Sequence, residues 1–208
     1  MTIVSYAQNF EDVILWRALK QVRGGFYIDI GAQDPVVDSV SLAFYERGWR
    51  GVHVEPIAHY ADRLRAARTD EQVVEAAIGR QEGTIPFYEI VDTGLSTGDE
   101  AIALEHEQAG RIAKRFEVAC LPLSSILDTY KARDIHWLKI DVEGMEDQVI
   151  GSWSPSPARP WIVLVESTKP NSSEPTFAGW EPELLALGYD FVYFDGLNRF
   201  YVSREHHN

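Results

Sequence analysis

Cysteine is all but missing from this chain: Cys120 is the one thiol in 208 residues. An intramolecular disulfide is therefore excluded, and a buried, structural thiol is expected in the apolar-alternating stretch 116–121. Long hydrophobic runs are missing too. No stretch reaches the roughly 18 apolar residues that span a bilayer, and residues 1–12 are polar and acidic where a secretion signal would carry its apolar segment. A soluble, cytoplasmic protein is expected. Cations are scarce: 19 Lys and Arg stand against 32 Asp and Glu, a formal net charge of −13. A phosphate backbone needs clustered cations, so nucleic acid is not an expected partner and small-molecule or carbohydrate acceptors fit better. Neither an internal repeat nor a low-complexity linker interrupts the chain, so one domain over residues 1–208 is expected. His206-His207-Asn208 is too short to read as a metal site. Nothing here defines an oligomeric state.

Glycine is short in one telling place. Phe26-Tyr27-Ile28-Asp29-Ile30-Gly31-Ala32-Gln33-Asp34-Pro35 reads as a strand, a turn and a helix start. Ligands of open α/β sheets bind at such carboxyl ends. A dinucleotide needs G-x-G-x-x-G so that its pyrophosphate can lie on glycine backbone. Only Gly31 is present. Gln33 replaces the second glycine, and Asp34 adds negative charge where phosphates would lie. A nucleoside with an ammonium and a sulfonium but no phosphate suits Asp29 better, and S-adenosylmethionine fits that description. The same decapeptide also reads as a capped turn of any α/β domain.

Residues 13–19 predict a helix packed on the main sheet, within an N-terminal helical segment 1–24. A helix capped by Asp38 or Ser39 should bury Val40, Ala43 and Phe44. Gly51-Val52-His53-Val54-Glu55-Pro56 reads as a second strand, with Glu55 placed to hold a ribose diol. A helix over 58–68 and a third strand over 73–79 follow, the latter leading to a turn near Ala77 where an adenine can lodge. Pro86 marks residues 84–89 as an edge strand. Residues 92–115 are charged and lack strand character. They read either as a flap inserted over the site or as a solvated helix over 99–114. After a helix over 123–131, Leu138-Lys139-Ile140-Asp141-Val142-Glu143-Gly144 repeats the strand-acid-glycine pattern, and residues 161–166 end at Glu166. Asp29, Glu55, Asp141 and Glu166 would then share one edge of a parallel sheet. A helix over 180–187 and two aromatic strands joined at Asp195-Gly196 complete a three-layer α/β sandwich with a mostly parallel sheet and a C-terminal antiparallel hairpin.

Tyr27-Ile28-Asp29-Ile30-Gly31-Ala32, Gly51 to Pro56, and above all Leu138-Lys139-Ile140-Asp141-Val142-Glu143-Gly144-Met145-Glu146 resemble the FkbM-like family of S-adenosylmethionine-dependent methyltransferases. The resemblance implies a Rossmann-like, class I methyltransferase fold and O-methylation. It also implies a cofactor bound by Asp29, Gly31 and Glu55, beside which Ala32, Pro56, Ala77 and Asp141 are further candidate cofactor contacts. Ser5-Tyr6-Ala7-Gln8-Asn9-Phe10-Glu11-Asp12 is similar to members associated with bacterial surface-glycan synthesis, which makes a sugar hydroxyl the expected acceptor.

Methyl transfer requires in-line alignment and deprotonation of an acceptor hydroxyl. Asp141, Glu143, Glu166 and His106 are the candidate catalytic groups, and Asp141 with Glu166 is the candidate site for a divalent ion such as Mg²⁺. Trp49, Trp153, Trp180 and Tyr193 offer flat faces for a sugar. Three alternatives remain open: O-methylation of a polyketide or other secondary metabolite, a nucleotide-sugar oxidoreductase, and a non-catalytic methyltransferase-like binding domain.

Overall fold

Three apolar runs form the centre of the main sheet: β1 (Phe26–Ile30), β7 (Trp137–Ile140) and β8 (Ile162–Glu166), buried along their whole length. Strands covered on both faces read as continuous apolar segments, which is why these three are visible in the sequence. The computed structural model describes residues 3–170 and 172–207. With β2 (Arg50–Val54), β3 (Gln72–Val74), β9 (Tyr189–Phe194) and β10 (Asn198–Ser203), they make a seven-stranded sheet in the order β3-β2-β1-β7-β8-β10-β9. All pairings from β3 to β8 are parallel. β10 runs antiparallel to both β8 and β9. The hairpin turns where expected: the Asp195 carboxylate accepts the Leu197 and Asn198 amides at 2.8 and 2.6 Å.

The period-two alternation of strand side chains divides the core. On one face Ile28, Leu138 and Val163 pack with α5 (Leu123–Tyr130), α6 (Glu146–Ile150) and α7 (Glu181–Ala186). On the other, Tyr27, Trp137 and Leu164 meet α1 (Glu11–Ala18) and α2 (Leu42–Tyr45). Tyr27 and Trp137 stack there at 4.5 Å. A second sheet, β4-β6-β5, stands beside the first, built from β4 (Ala77–Ile78), β5 (Gly83–Ile90) and β6 (Ala113–Leu121). Pro86 lies in β5, an edge strand as its sequence requires. Among the described residues no helix is long and apolar enough to cross a membrane.

Three local expectations need correction. No helix follows β1 directly: α2 begins only at Leu42 and has four residues. Asp34 accepts the Val36 and Val37 amides at 2.8 and 3.0 Å, a local turn that competes with helix, and two β-branched residues follow Pro35. The strand expected over 73–79 divides between the sheets as β3 and β4. Residues 113–115 of the candidate flap belong to β6, in which Lys114, Arg115 and Glu117 are exposed. The rest of that segment holds α4 (Glu100–Gln108), capped by Asp99, which accepts the Ala101 and Ile102 amides. Gly110, at φ +83°, stops that helix well short of residue 114.

The N-terminal segment is spent inside the fold. Asp12 accepts the Ser5 hydroxyl at 2.7 Å and the Tyr6 amide at 2.8 Å, while Asn9 donates to the Asp195 carbonyl at 2.9 Å. Trp49 and Trp153 are core residues, 1 % and 0 % exposed, and offer no sugar platform. Asn208 of the terminal His-His-Asn lies outside the described residues.

Candidate functional site

The carboxyl ends of β1, β2 and β7 open into a cleft of about 620 Å³, counting the space open to solvent, whose far wall is the small sheet. Gly31, Glu55, Pro56, Ala77, Asp141 and Glu143 all line it. Ile57, Tyr60, Ala77, Phe87 and Met145 form an apolar cluster along it, a slot suited to a flat ring. Asp29 and Ala32 do not line it. Asp29 lies within β1 on the opposite face, 2 % exposed, with His53 Nδ1 and Lys139 Nζ each 3.8 Å away.

Glu55 is 3 % exposed, and its two carboxylate oxygens accept the Ile57 amide at 2.8 Å and the Gln33 amide at 2.9 Å. Burial raises its pKa to about 7, against the pull of those two amides. Each oxygen retains a second lone pair, so the group can still receive a vicinal diol. Gln33, at φ +47°, sends its side-chain amide to the Thr93 carbonyl at 3.1 Å and so ties the turn after β1 to the segment before α4. Sequence reading registered Gln33 only as a missing glycine.

Gly31 has a different task from the one expected. A Cβ on Gly31 would stand 1.7 Å from the Asp141 carbonyl oxygen, and its φ is +74°. The glycine is demanded by the backbone of β7's end, whatever else it does in the cleft that it also lines. Lys139 locks the same junction. Its ammonium is 2.9 Å from Asp141 and donates to the Gly31 carbonyl at 3.2 Å. Burial pulls its pKa down, but Asp141 and Asp29 more than reverse that and hold it above the ordinary lysine value.

Asp141, Glu143 and Glu166 each bring a carboxylate oxygen within 4.8 Å of the others. Glu166 does not line the cleft but joins it through this contact. Burial, then Asp141 and Glu143, pushes it up to about 11. Burial and Asp141 likewise raise Glu143 well above the carboxylate range. One Glu143 oxygen, Oε2, is buried without a partner, and the residue sits at φ +52°. The turn carrying it is held from both sides: the Thr97 hydroxyl donates to the Glu143 carbonyl at 2.7 Å, and Glu146 accepts the Gly144 amide at 3.2 Å. Gly144 lets α4 rest on that turn, since a Cβ there would be 2.1 Å from Ile102.

His106 is not in this cleft. It borders a second cavity, of about 1340 Å³ counted the same way, between α4, the 144–147 turn and the segment 168–180. The 141–146 turn separates the two: Asp141, Glu143 and Met145 face the first, Gly144 and Glu146 the second. Arg111 approaches His106 Nδ1 at 3.0 Å. A guanidinium only donates, so Nδ1 is the acceptor and neutral His106 carries its proton on Nε2. Burial and Arg111 lower its pKa, which keeps it in that neutral form.

A seven-stranded sheet of this order with one reversed strand, opening at the ends of its first two strands, is the class I methyltransferase fold. A crystal structure of a TehB-like SAM-dependent methyltransferase from Corynebacterium glutamicum is similar, with TM-score 0.51 and 9% identity, covering 93% of this chain and 87% of that one. The family model described as methyltransferase FkbM domain matches residues 29–191, and the chain belongs to that family. Its activity class is methyl transfer, and the cofactor this implies is S-adenosylmethionine. No curated protein sequence matches the chain.

Proposed function

We propose that this protein is a cytoplasmic, S-adenosylmethionine-dependent O-methyltransferase acting on a sugar hydroxyl in bacterial surface-glycan biosynthesis. The observation that carries the chemistry is the meeting of three carboxylates, Asp141, Glu143 and Glu166, at the wall of a cleft floored by Glu55. Glu55 accepts the ribose hydroxyls, the slot beside Ala77 and Phe87 takes the adenine, and Asp141 receives the ammonium end. Asp29 acts from behind, through Lys139. The cofactor supplies a methyl carbon on a sulfonium, so the residues must align the acceptor oxygen and relieve it of its proton.

Asp141 is paired with Lys139 at 2.9 Å, while burial and the neighbouring carboxylates push Glu143 and Glu166 above the ordinary carboxylate range. Three oxygen donors with one buried, unpartnered oxygen are a donor set for a hard divalent cation such as Mg²⁺, which held there would lower the pKa of a bound hydroxyl. Without an ion, Asp141 is the base. His106 cannot be, because its available nitrogen already bears the proton. The acidic balance and the N-terminal resemblance support a glycan acceptor. Transfer of labelled methyl from S-adenosylmethionine to the host's glycan precursors tests the reading, together with the O-methyl sugar content of a deletion strain. An unchanged content refutes the glycan assignment. Turnover should fall after chelation and return with Mg²⁺ or Mn²⁺. Activity that survives exhaustive chelation removes the ion.

A further inference from the structure

The second cavity holds an unusual concentration of unsatisfied groups. Eleven buried side-chain polar atoms lack a partner among the described residues, and four of them, His106 Nε2, Thr168 Oγ1, Thr176 Oγ1 and Trp180 Nε1, belong to side chains lining this one cavity. Native interiors leave few such groups, because each has lost its water and gained nothing in return. His106, Thr168 and Trp180 are 5, 5 and 2 % exposed, so these are not solvated side chains at a rim.

We infer that this cavity is the acceptor subsite, built for a neutral, polyhydroxylated ring whose hydroxyls satisfy His106 Nε2–H, Trp180 Nε1–H and the two threonine hydroxyls. The inference deepens the methyltransferase reading and rests on it. Two of the four groups can only donate: the indole N–H, and the Nε2–H that Arg111 imposes on His106. The threonine hydroxyls donate or accept. A hydroxyl-bearing ligand matches that set, whereas a hydrocarbon would leave all four unsatisfied. Charge disfavours an anionic occupant. Lys169 is paired with Glu174 at 2.6 Å and Asp147 with Arg80 at 3.7 Å, which leaves Arg111 as one cation of the lining against Glu105 and Glu146. A phosphate on the acceptor would therefore stay outside. The cavity lies directly across the 141–146 turn from the methyl-transfer cleft, since Gly144 and Glu146 line the one and Glu143 and Met145 the other.

The probes are the α-methyl glycosides of glucose, galactose, mannose and rhamnose, with glucose 1-phosphate as the anionic control. Binding to protein saturated with S-adenosylhomocysteine is followed by saturation-transfer NMR and calorimetry. At least one neutral glycoside should bind, and the phosphate should bind more weakly. Thr168→Val, Trp180→Phe and His106→Phe should each weaken it about tenfold, the loss of one buried hydrogen bond. His106→Gln places an amide N–H near the lost Nε2–H and should restore most of the affinity. Affinity for S-adenosylhomocysteine should stay within about twofold in every variant, which also reports that each is folded. Glycoside binding unchanged in all the variants, or absent from protein that does bind S-adenosylhomocysteine, overturns the subsite. Failure of the unmodified protein to bind S-adenosylhomocysteine refutes the methyltransferase reading and the subsite with it.

Discussion

Glu55 and Gly31 stand two strands' ends apart in the same cleft, yet replacing them should do different things. Glu55→Ala removes the acceptor of two backbone amides and of the proposed ribose hydroxyls. Affinity for S-adenosylhomocysteine should fall by about 1.5–3 kcal/mol, the range for hydrogen bonds to a charged group, as calorimetry would show. Gly31→Ala instead forces a Cβ to 1.7 Å from the Asp141 carbonyl in a left-handed backbone. Thermal melting should reveal a loss of at least about 1–3 kcal/mol, as for overpacked sites, before any binding defect can be measured. A Gly31→Ala protein that melts normally but has lost the cofactor would restore the ligand-approach role that the sequence suggests. Glu55, Asp141 and Gly31 are legible in the sequence because each closes an apolar strand. Gln33, Thr168 and Thr176 are not. They come from irregular segments with no periodicity, and the Gln33 side chain finds its partner only at Thr93, 60 residues on.

Among the elements, α4 and β6 diverge most from expectation. Residues 113–117 carry three charges and bury none of their side chains, so composition masks a strand that pairs with β5 from Ile90↔Ala113 to Gly83↔Cys120. Pairing of that kind is non-local and leaves only a weak sequence signal. α4 positions both Ile102 against Gly144 and His106 against the second cavity. Its N-cap is accordingly a lever on the site. Asp99→Ala should cost about 1 kcal/mol. Hydrogen exchange should quicken in residues 100–108 while β1 and β7 stay protected. Uniform acceleration across the sheet would show that α4 does not open as a separate unit.

For the molecule as a whole, buried acids set the response to pH. Glu55 and Glu146 are raised to about 7 and Glu166 to about 11, burial being the leading cause in each. Their folded-state values exceed the unfolded ones, so the folded chain holds more protons and stability is lost as pH rises from the ordinary carboxylate value through the folded one. His106 and His136, lowered mainly by burial, work in the opposite sense and only below the ordinary histidine value, where acidification destabilises. Above about pH 6.5 the carboxylates act unopposed by these histidines. In chelator-containing buffer the melting temperature should therefore fall from pH 6.5 to 9, as stability drops by up to about 1.4 kcal/mol per pH unit for each proton retained. Glu166→Gln should flatten the decline above pH 8. A melting temperature that rises across that range would contradict the buried-acid assignment. The sequence by itself determined the class of sheet, its central strands and the acids at their ends, because parallel strands buried on both faces must be written as apolar runs closed by a turn. Only the tertiary structure decided that Gly31 faces the Asp141 carbonyl, that Lys139 ties two acids to one turn, and that two cavities flank the 141–146 turn. Those facts are contacts between segments far apart in the chain, and no local pattern encodes a contact whose other half lies in another element.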